Sequence, residues 1–96
     1  MMMSIFIKEF VKKKLNQLSY EDLLHYSAQY GFSLTQSEAK NISAYIKTNQ
    51  LDPFVESDRI KMFEDLAQIT DPNTAKKAND LLAQIIRTYG LEHLFQ

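Results

Sequence analysis

Cysteine is absent from the 96 residues of this sequence. Its absence excludes disulfides, thiol catalysis and zinc sites built on thiolates, and it suits a reducing compartment. No run of apolar residues is close to the length of about 20 residues that a membrane-spanning helix needs. At the N-terminus, apolar residues precede the lysines, which is the reverse of the order in a secretory signal. We therefore expect a cytoplasmic protein without a transmembrane segment.

Glycine and proline are scarce, with two residues of each. A sheet protein needs many turn residues, so this scarcity favours a few long helices. The isolated glycines Gly31 and Gly90 cannot build a phosphate-binding loop, and the sequence contains no Gly-x-Ser-x-Gly nucleophile elbow. The sequence thus lacks the motifs of common nucleotide-binding enzymes and serine hydrolases.

Apolar residues at helical spacing and capping signals divide the chain into about five helices. Ser19 is the predicted N-cap of the second helix, Thr35 and Glu38 form a predicted capping box at the third, and Asp71 precedes Pro72 at the start of the fifth. The first three predicted helices cover residues 4–17, 20–30 and 36–49, and the fifth covers residues 72–89. Asp52-Pro53 is predicted to open either a short turn or the fourth helix itself, which ends at residue 69; Ser57 is the second choice for the start of that helix. With 45% apolar and 24% charged residues, the composition is that of a soluble globular protein. The prediction is an all-α, compact bundle of about five short helices, forming a single domain over residues 1–96.

Positive charge is concentrated in a basic amphipathic N-terminal helix, residues 1–18. This segment carries four lysines against one glutamate, whereas residues 19–70 carry eight acidic against four basic residues, a net charge of −4. An amphipathic helix of this kind is typical of a surface that docks on a partner. The predicted partner-binding residues are Phe6, Lys8, Phe10, Lys12, Lys13 and Lys14. The alternative is an ordinary core helix with a solvated lysine face, in which Glu9 pairs with Lys13.

The titratable residues do not form a recognisable catalytic or metal-binding pattern. Glu21 and His25 lie four residues apart on one helix, a spacing that allows weak chelation but is more often a surface pair. Acidic neighbours such as Glu64 and Asp65 point in different directions from a helix and lack signs of a shared pocket. We expect no enzyme activity and no catalytic, cofactor-binding or metal-binding residues.

Recognition of DNA by a helix-turn-helix formed by the second and third helices is not supported. After the turn glycine Gly31, apolar residues are expected six and nine positions on, where Ser37 and Lys40 stand. Among the aromatic residues, Tyr26 and Tyr45 fall off the main apolar stripes and are the best candidates for exposed rings, but a place at the flank of the core is the more common role for an amphipathic tyrosine. Nucleic acid is therefore not the expected partner.

Four stretches of the sequence are similar to a known family. They are Leu-Thr-Gln-Ser-Glu-Ala at 34–39, the segment 42–46, Asp-Arg at 58–59, and Ile-Thr-Asp-Pro-Asn-Thr-Ala at 69–75. Together they make residues 23–86 resemble the YqfT-like family of small uncharacterised proteins from spore-forming bacilli. The resemblance implies a small bacterial helical protein and no site residues. The basic N-terminal helix and the C-terminal tail, residues 91–96, are expected to lie outside it.

These observations favour a small non-catalytic protein-interaction module that binds another protein or itself. In a homodimer, the first helix of each copy would pack against the acidic middle of the other. The alternative is a peripheral binder of nucleic acid or of a membrane surface through the basic helix. In the tail, Leu94 and Phe95 are predicted to fold back on the core.

Overall fold

Five α-helices and a final 3-10 turn follow one another in the computed structural model, which describes the backbone of residues 2–95 and the side chains of residues 6–95. The helices are α1 (Met2–Gln17), α2 (Tyr20–Gln29), α3 (Gln36–Asn49), α4 (Glu56–Ile69) and α5 (Pro72–Thr88), and the 3-10 turn covers Glu92–Leu94. The described part of the chain contains no strand. The predicted all-α bundle is confirmed.

Capping side chains place the starts of three helices where the sequence predicts them. Ser19 caps α2 through a capping box. At α3, the amide of Glu38 donates to the Thr35 hydroxyl at 3.0 Å, and the Thr35 amide donates to the Glu38 carboxylate at 2.9 Å. Asp71 accepts the amide of Thr74 at 2.7 Å at the start of α5. Each cap satisfies backbone donors that the first helical turn leaves unpaired.

Asp52-Pro53 forms the predicted short turn, and α4 begins next to the second predicted start at Ser57. The carboxylate of Asp52 accepts the amide of Phe54 at 2.9 Å, and the amide of Asp52 donates to the carboxylate of Asp58 at 2.9 Å. These two bonds fold the Asp-Pro segment into a short turn. The helix itself begins at Glu56, one residue before the alternative start at Ser57. The Asp-Pro pair therefore shapes the turn that leads into α4.

Left-handed backbone conformations follow the ends of three helices. Gly31 with φ +83° follows α2, and Gly90 with φ +63° follows α5, so each glycine stands directly after a helix that the sequence predicts to end at residue 30 or 89. Gln50 ends α3 with φ +48° and ψ +44°. A residue with a Cβ adopts this region at an energetic cost, so Gln50 holds a position that suits glycine.

Helices that are neighbours in sequence pack as pairs, α2 with α3 and α4 with α5, and α3 contacts both α1 and α4. The most deeply buried of the described side chains come from four different parts of the chain: Ala39, Ser43, Phe54, Ala75 and Leu94. The molecule measures 39 × 24 × 23 Å along its principal axes. The core therefore draws on side chains from several separate parts of the chain.

The C-terminal tail folds back on the core as predicted. Leu94 is 1% exposed. The ring of Phe95 lies 4.8 Å from the ring of Phe54, and the guanidinium of Arg59 lies 5.3 Å from the centre of the Phe95 ring. The tail therefore covers the turn between α3 and α4.

Candidate interaction surface on the first helix

The inner side of α1 is part of the core. Val11 and Leu15 line an apolar cavity of about 300 Å³ together with Ile42 of α3 and with Met62 and Leu66 of α4. This burial holds the helix against α3 and fixes which of its sides faces water. The first helix is accordingly a structural element as well as a candidate contact surface.

The outer side of α1 presents two aromatic rings to solvent. Phe6 is 66% exposed and Phe10 is 61% exposed, and the two lie one helical turn apart. Lys13 and Lys14 are exposed on the next turn, and the Lys14 ammonium lies 5.4 Å from the centre of the Phe10 ring. We call Phe6, Phe10, Lys13 and Lys14 the basic aromatic face.

The other two predicted partner-binding residues contact the chain itself. The ammonium of Lys8 lies 5.7 Å from the centre of the Phe54 ring. Lys12 forms an ion pair with Glu9 at 2.9 Å and lies 3.9 Å from Asp52. The hydrogen bond that the Lys12 ammonium donates to Glu9 is the main cause that raises the pKa of Lys12 above its ordinary value. The predicted ion pair of Glu9 with Lys13 is therefore wrong. Glu9 pairs instead with Lys12, which lies three residues further along the helix.

A second unusual surface lies on the outer side of α4, where Ile60 stands between two carboxylates. Ile60 is 51% exposed, although its helical spacing to Phe63 and Ala67 predicts that it belongs to the core-facing apolar stripe of this helix. Glu56 and Glu64, one turn before and one turn after it, form no ion pair with any side chain that the structure describes. We call Glu56, Ile60 and Glu64 the acidic face; it borders a shallow groove of about 630 Å³ between α4 and α5.

This second surface was missed in the sequence because apolar spacing alone assigned Ile60 to the core. The signal that marks it is the acid four residues before Ile60 and the acid four residues after it, which put three residues in one row on the helix. A row in which an apolar residue is flanked by charges on both sides is typical of a solvent-facing side of a helix.

Tyr45 lies at the flank of the core, the more common of the two roles considered for it, and is not an exposed ring. It is half-buried, and its hydroxyl donates to the carboxylate of Asp65, which also accepts from Lys61 at 2.8 Å. Burial, reinforced by the bond to Asp65, raises the pKa of Tyr45 above its ordinary value. The two donors, Lys61 first, lower the pKa of Asp65. Tyr26, the other predicted exposed ring, is 51% exposed.

The histidine on α2 has local contacts with its neighbours. The Nε2 atom of His25 lies 3.3 Å from the side-chain amide nitrogen of Gln29. The rings of His25 and Tyr26 are arranged edge to face, with their centres 5.3 Å apart. Among the described residues, no three His, Asp or Glu side chains gather in a group able to hold a metal ion. Nor is any described helix long and apolar enough to cross a membrane.

Comparison with known proteins places residues 3–86, a region that includes most or all of each of the five α-helices, in one family. A family described as "Protein of unknown function (DUF2624)" matches residues 3–86. The chain is 35% identical over 80 residues to the uncharacterized protein YqfT of Bacillus subtilis (strain 168). The matched region covers 83% of this chain and 95% of that protein. No solved structure matches the chain.

The family match corrects one prediction from the sequence. It begins at residue 3, so the basic N-terminal helix lies within the family and not outside it. The four stretches that carry the resemblance all lie after residue 33, so they give no information about α1. The tail, residues 91–96, does follow the matched region. This all-helical chain, with its first helix included, belongs to the DUF2624 family of bacterial proteins that contains YqfT.

Proposed function

We propose that this protein is a small protein-interaction module and that the basic aromatic face of α1 is its contact surface. The observation that carries the proposal is the pair Phe6 and Phe10, each more than 60% exposed on a helix whose opposite side lies in the core. Transfer of a phenylalanine side chain from water to an apolar interface is favourable by about 1.5–3 kcal/mol. Two such rings in one patch are typical of a protein-binding site.

The distribution of the lysines favours a protein partner over an anionic membrane or a nucleic acid. Lys8 and Lys12 face Phe54, Glu9 and Asp52 of the same chain, which leaves Lys13 and Lys14 beside the exposed rings. A lysine near an anionic membrane contributes about 1 kcal/mol, so two lysines hold a helix there weakly. The net charge of −1 also opposes approach to an anionic polymer.

The proposal assigns the protein no catalytic role and a cytoplasmic location. Support for the first comes from the acidic residues: Glu56 and Glu64 are exposed, and Asp65 is bound by Lys61 and Tyr45. Carboxylates in such positions lack the shared enclosed pocket that separates the pKa values of a catalytic pair. Support for the second is the absence of cysteine from the sequence.

A photo-crosslinking experiment tests the proposed surface. A photoreactive phenylalanine analogue is placed at Phe6 or at Phe10 of the full-length chain in living cells. The matched control carries the analogue at Tyr89, which is 71% exposed at the end of α5 and therefore belongs to a different helix from the basic aromatic face. We expect protein adducts from both positions on α1 and none from the control.

Two outcomes would contradict the proposal. Equal adduct yields at all three positions would show that α1 is not a preferred contact surface. The absence of protein adducts, combined with flotation of the purified chain on anionic vesicles at low salt, would assign the same face to a membrane surface, since that binding weakens steeply with ionic strength.

A further inference from the structure

We propose that the basic aromatic face docks on the acidic face of α4 in a second copy of this chain, an inference that rests on the proposed function. The two faces belong to different helices of one molecule. In a two-fold dimer each copy supplies one of each, so the same contact forms twice. The partner is therefore this chain, and its contact residues are Glu56, Ile60 and Glu64.

The exposed area of the chain is larger than that of a compact monomer of its size. The accessible surface is 6643 Å² for a mass of 11.2 kDa, whereas a folded monomer of that mass is expected to expose about 5,700 Å². The excess is close to the roughly 800 Å² that each partner buries in an interface of standard size. A second copy would cover surface that the fold leaves open.

Charge complementarity selects the acidic face among the exposed apolar sites. Glu56 and Glu64 form no ion pair with a described residue, and Lys13 likewise has no ion-pair partner in the described part of the chain. Ile60 offers an exposed apolar side chain between the two carboxylates, as Phe10 does beside two ammonium groups. Oppositely charged faces of this kind fix which surfaces meet and in which register.

The spacing of residues on the two helices matches. Four helical residues span about 6 Å, which separates Phe10 from Lys14 and equally separates Ile60 from Glu56 and from Glu64. When Phe10 lies against Ile60, Lys14 therefore lies opposite Glu64 if the helices are parallel and opposite Glu56 if they are antiparallel. Both directions pair an ammonium with a carboxylate, because an acid stands on each side of the isoleucine.

A charge-swap experiment with the full-length chain tests this pairing. One variant carries Lys13→Glu and Lys14→Glu, which makes its α1 face acidic. The other carries Glu56→Lys and Glu64→Lys, which makes its α4 face basic. Each variant alone places like charges opposite each other, and the dissociation constant of its homodimer should rise more than about a hundredfold. In an equimolar mixture both contacts join opposite charges again, so the two monomeric variants should form a heterodimer.

Sedimentation velocity and native mass spectrometry measure the outcome, and circular dichroism checks that each variant is folded. The controls are Glu21→Lys and Arg87→Glu, reversals at exposed residues outside both faces, which should leave the dimer intact. The substituted residues are exposed on helix surfaces, and we therefore expect the variants to fold. If a variant loses helical signal, its neutral form, with Gln in place of each charged residue, takes its place.

Three results would overturn the inference. If the wild-type chain stays monomeric at high protein concentration, the second copy is not the partner; crosslinks from Phe6 to another protein would then still support the proposed function. If the wild-type chain is dimeric but both reversals are tolerated, the dimer uses other surfaces. If the mixture of variants fails to form a heterodimer, the two faces do not meet each other.

Discussion

The hydroxyl of Ser43 donates a hydrogen bond of 3.0 Å to the backbone carbonyl of Leu18, and so ties the end of α1 to the middle of α3. The Lys47 ammonium donates to the same carbonyl at 2.9 Å and to the Ser43 hydroxyl at 2.8 Å. A carbonyl just past the last helical turn has no partner within its helix, and these donors from α3 supply one. The orientation of the first helix, and with it the position of its exposed rings, depends on this contact.

Ser43→Ala should lower the free energy of unfolding by about 0.5–1.5 kcal/mol, the net contribution of one hydrogen bond. The loss is limited because Lys47 still donates to the Leu18 carbonyl. Urea unfolding followed by circular dichroism measures it. Ser33→Ala, at an exposed position between α2 and α3, is the control. If both variants unfold at the same urea concentration as the parent, Ser43 does not anchor α1.

Leu94→Ala should cost about 2–5 kcal/mol, because it removes a nearly fully buried side chain and leaves a cavity under the tail. Thermal and urea unfolding both report this change. His93→Ala, at the exposed neighbouring position, should have little effect. Similar stabilities of the two variants would mean that the tail is not packed on the core in solution.

Thr35→Ala should lower stability by about 0.5–2 kcal/mol through loss of the capping box at α3. Gln36→Ala, which truncates the next residue without removing a capping bond, should be nearly neutral. The change is measured as a shift in the urea concentration at the midpoint of unfolding, provided that the dependence of the unfolding free energy on urea concentration is the same in both proteins. A cap-free variant as stable as the parent would indicate that α3 begins elsewhere.

Gln50→Gly should raise stability by about 0.5–1 kcal/mol, since glycine adopts the left-handed conformation at the end of α3 without the cost imposed by a Cβ. Asn49→Gly, one residue earlier at the last position of the helix, should instead destabilise the protein by about 0.3–0.5 kcal/mol. Differential scanning calorimetry on the two variants should therefore show melting temperatures shifted in opposite directions from that of the parent.

Asp65→Asn should reduce the loss of unfolding free energy as the pH falls into the acid range. The pKa of Asp65 is lowered in the folded state, so its ionised form contributes stability above the pKa of the unfolded chain, and that contribution disappears as pH falls through the folded-state pKa. The parent should thus lose stability below about pH 4 more steeply than the variant. Urea midpoints over a series of pH values test this, and parallel curves for parent and variant would contradict it.

Tyr45→Phe should act at the opposite end of the pH range. The pKa of Tyr45 is raised on folding, so the folded state keeps a proton that the unfolded chain releases above about pH 10. Stability is therefore lost as pH rises from the unfolded pKa toward the folded one, and removal of the hydroxyl should weaken that loss. A parent and variant with the same alkaline slope would show that the phenol is not protected in solution.

The elements of the fold could be predicted because they depend on local sequence. The Thr35 cap and the glycine after α2 act within a few residues, and both were found from spacing alone. The contacts of Lys12 and Ser43 could not be predicted, since they join residues that only tertiary packing brings together. The exposure of Ile60 belongs to this second class: helical spacing gives a row of residues but not the neighbour that covers it.

The pairing of helices that follow one another in sequence has a consequence for how quickly the chain reaches its native state. In the pairs α2 with α3 and α4 with α5, the two helices are joined by short connections, so each pair closes a small loop at low entropic cost. Helical proteins dominated by such local contacts fold in about microseconds to milliseconds. Rapid closure leaves little time in which the exposed apolar side chains of an incomplete core can aggregate.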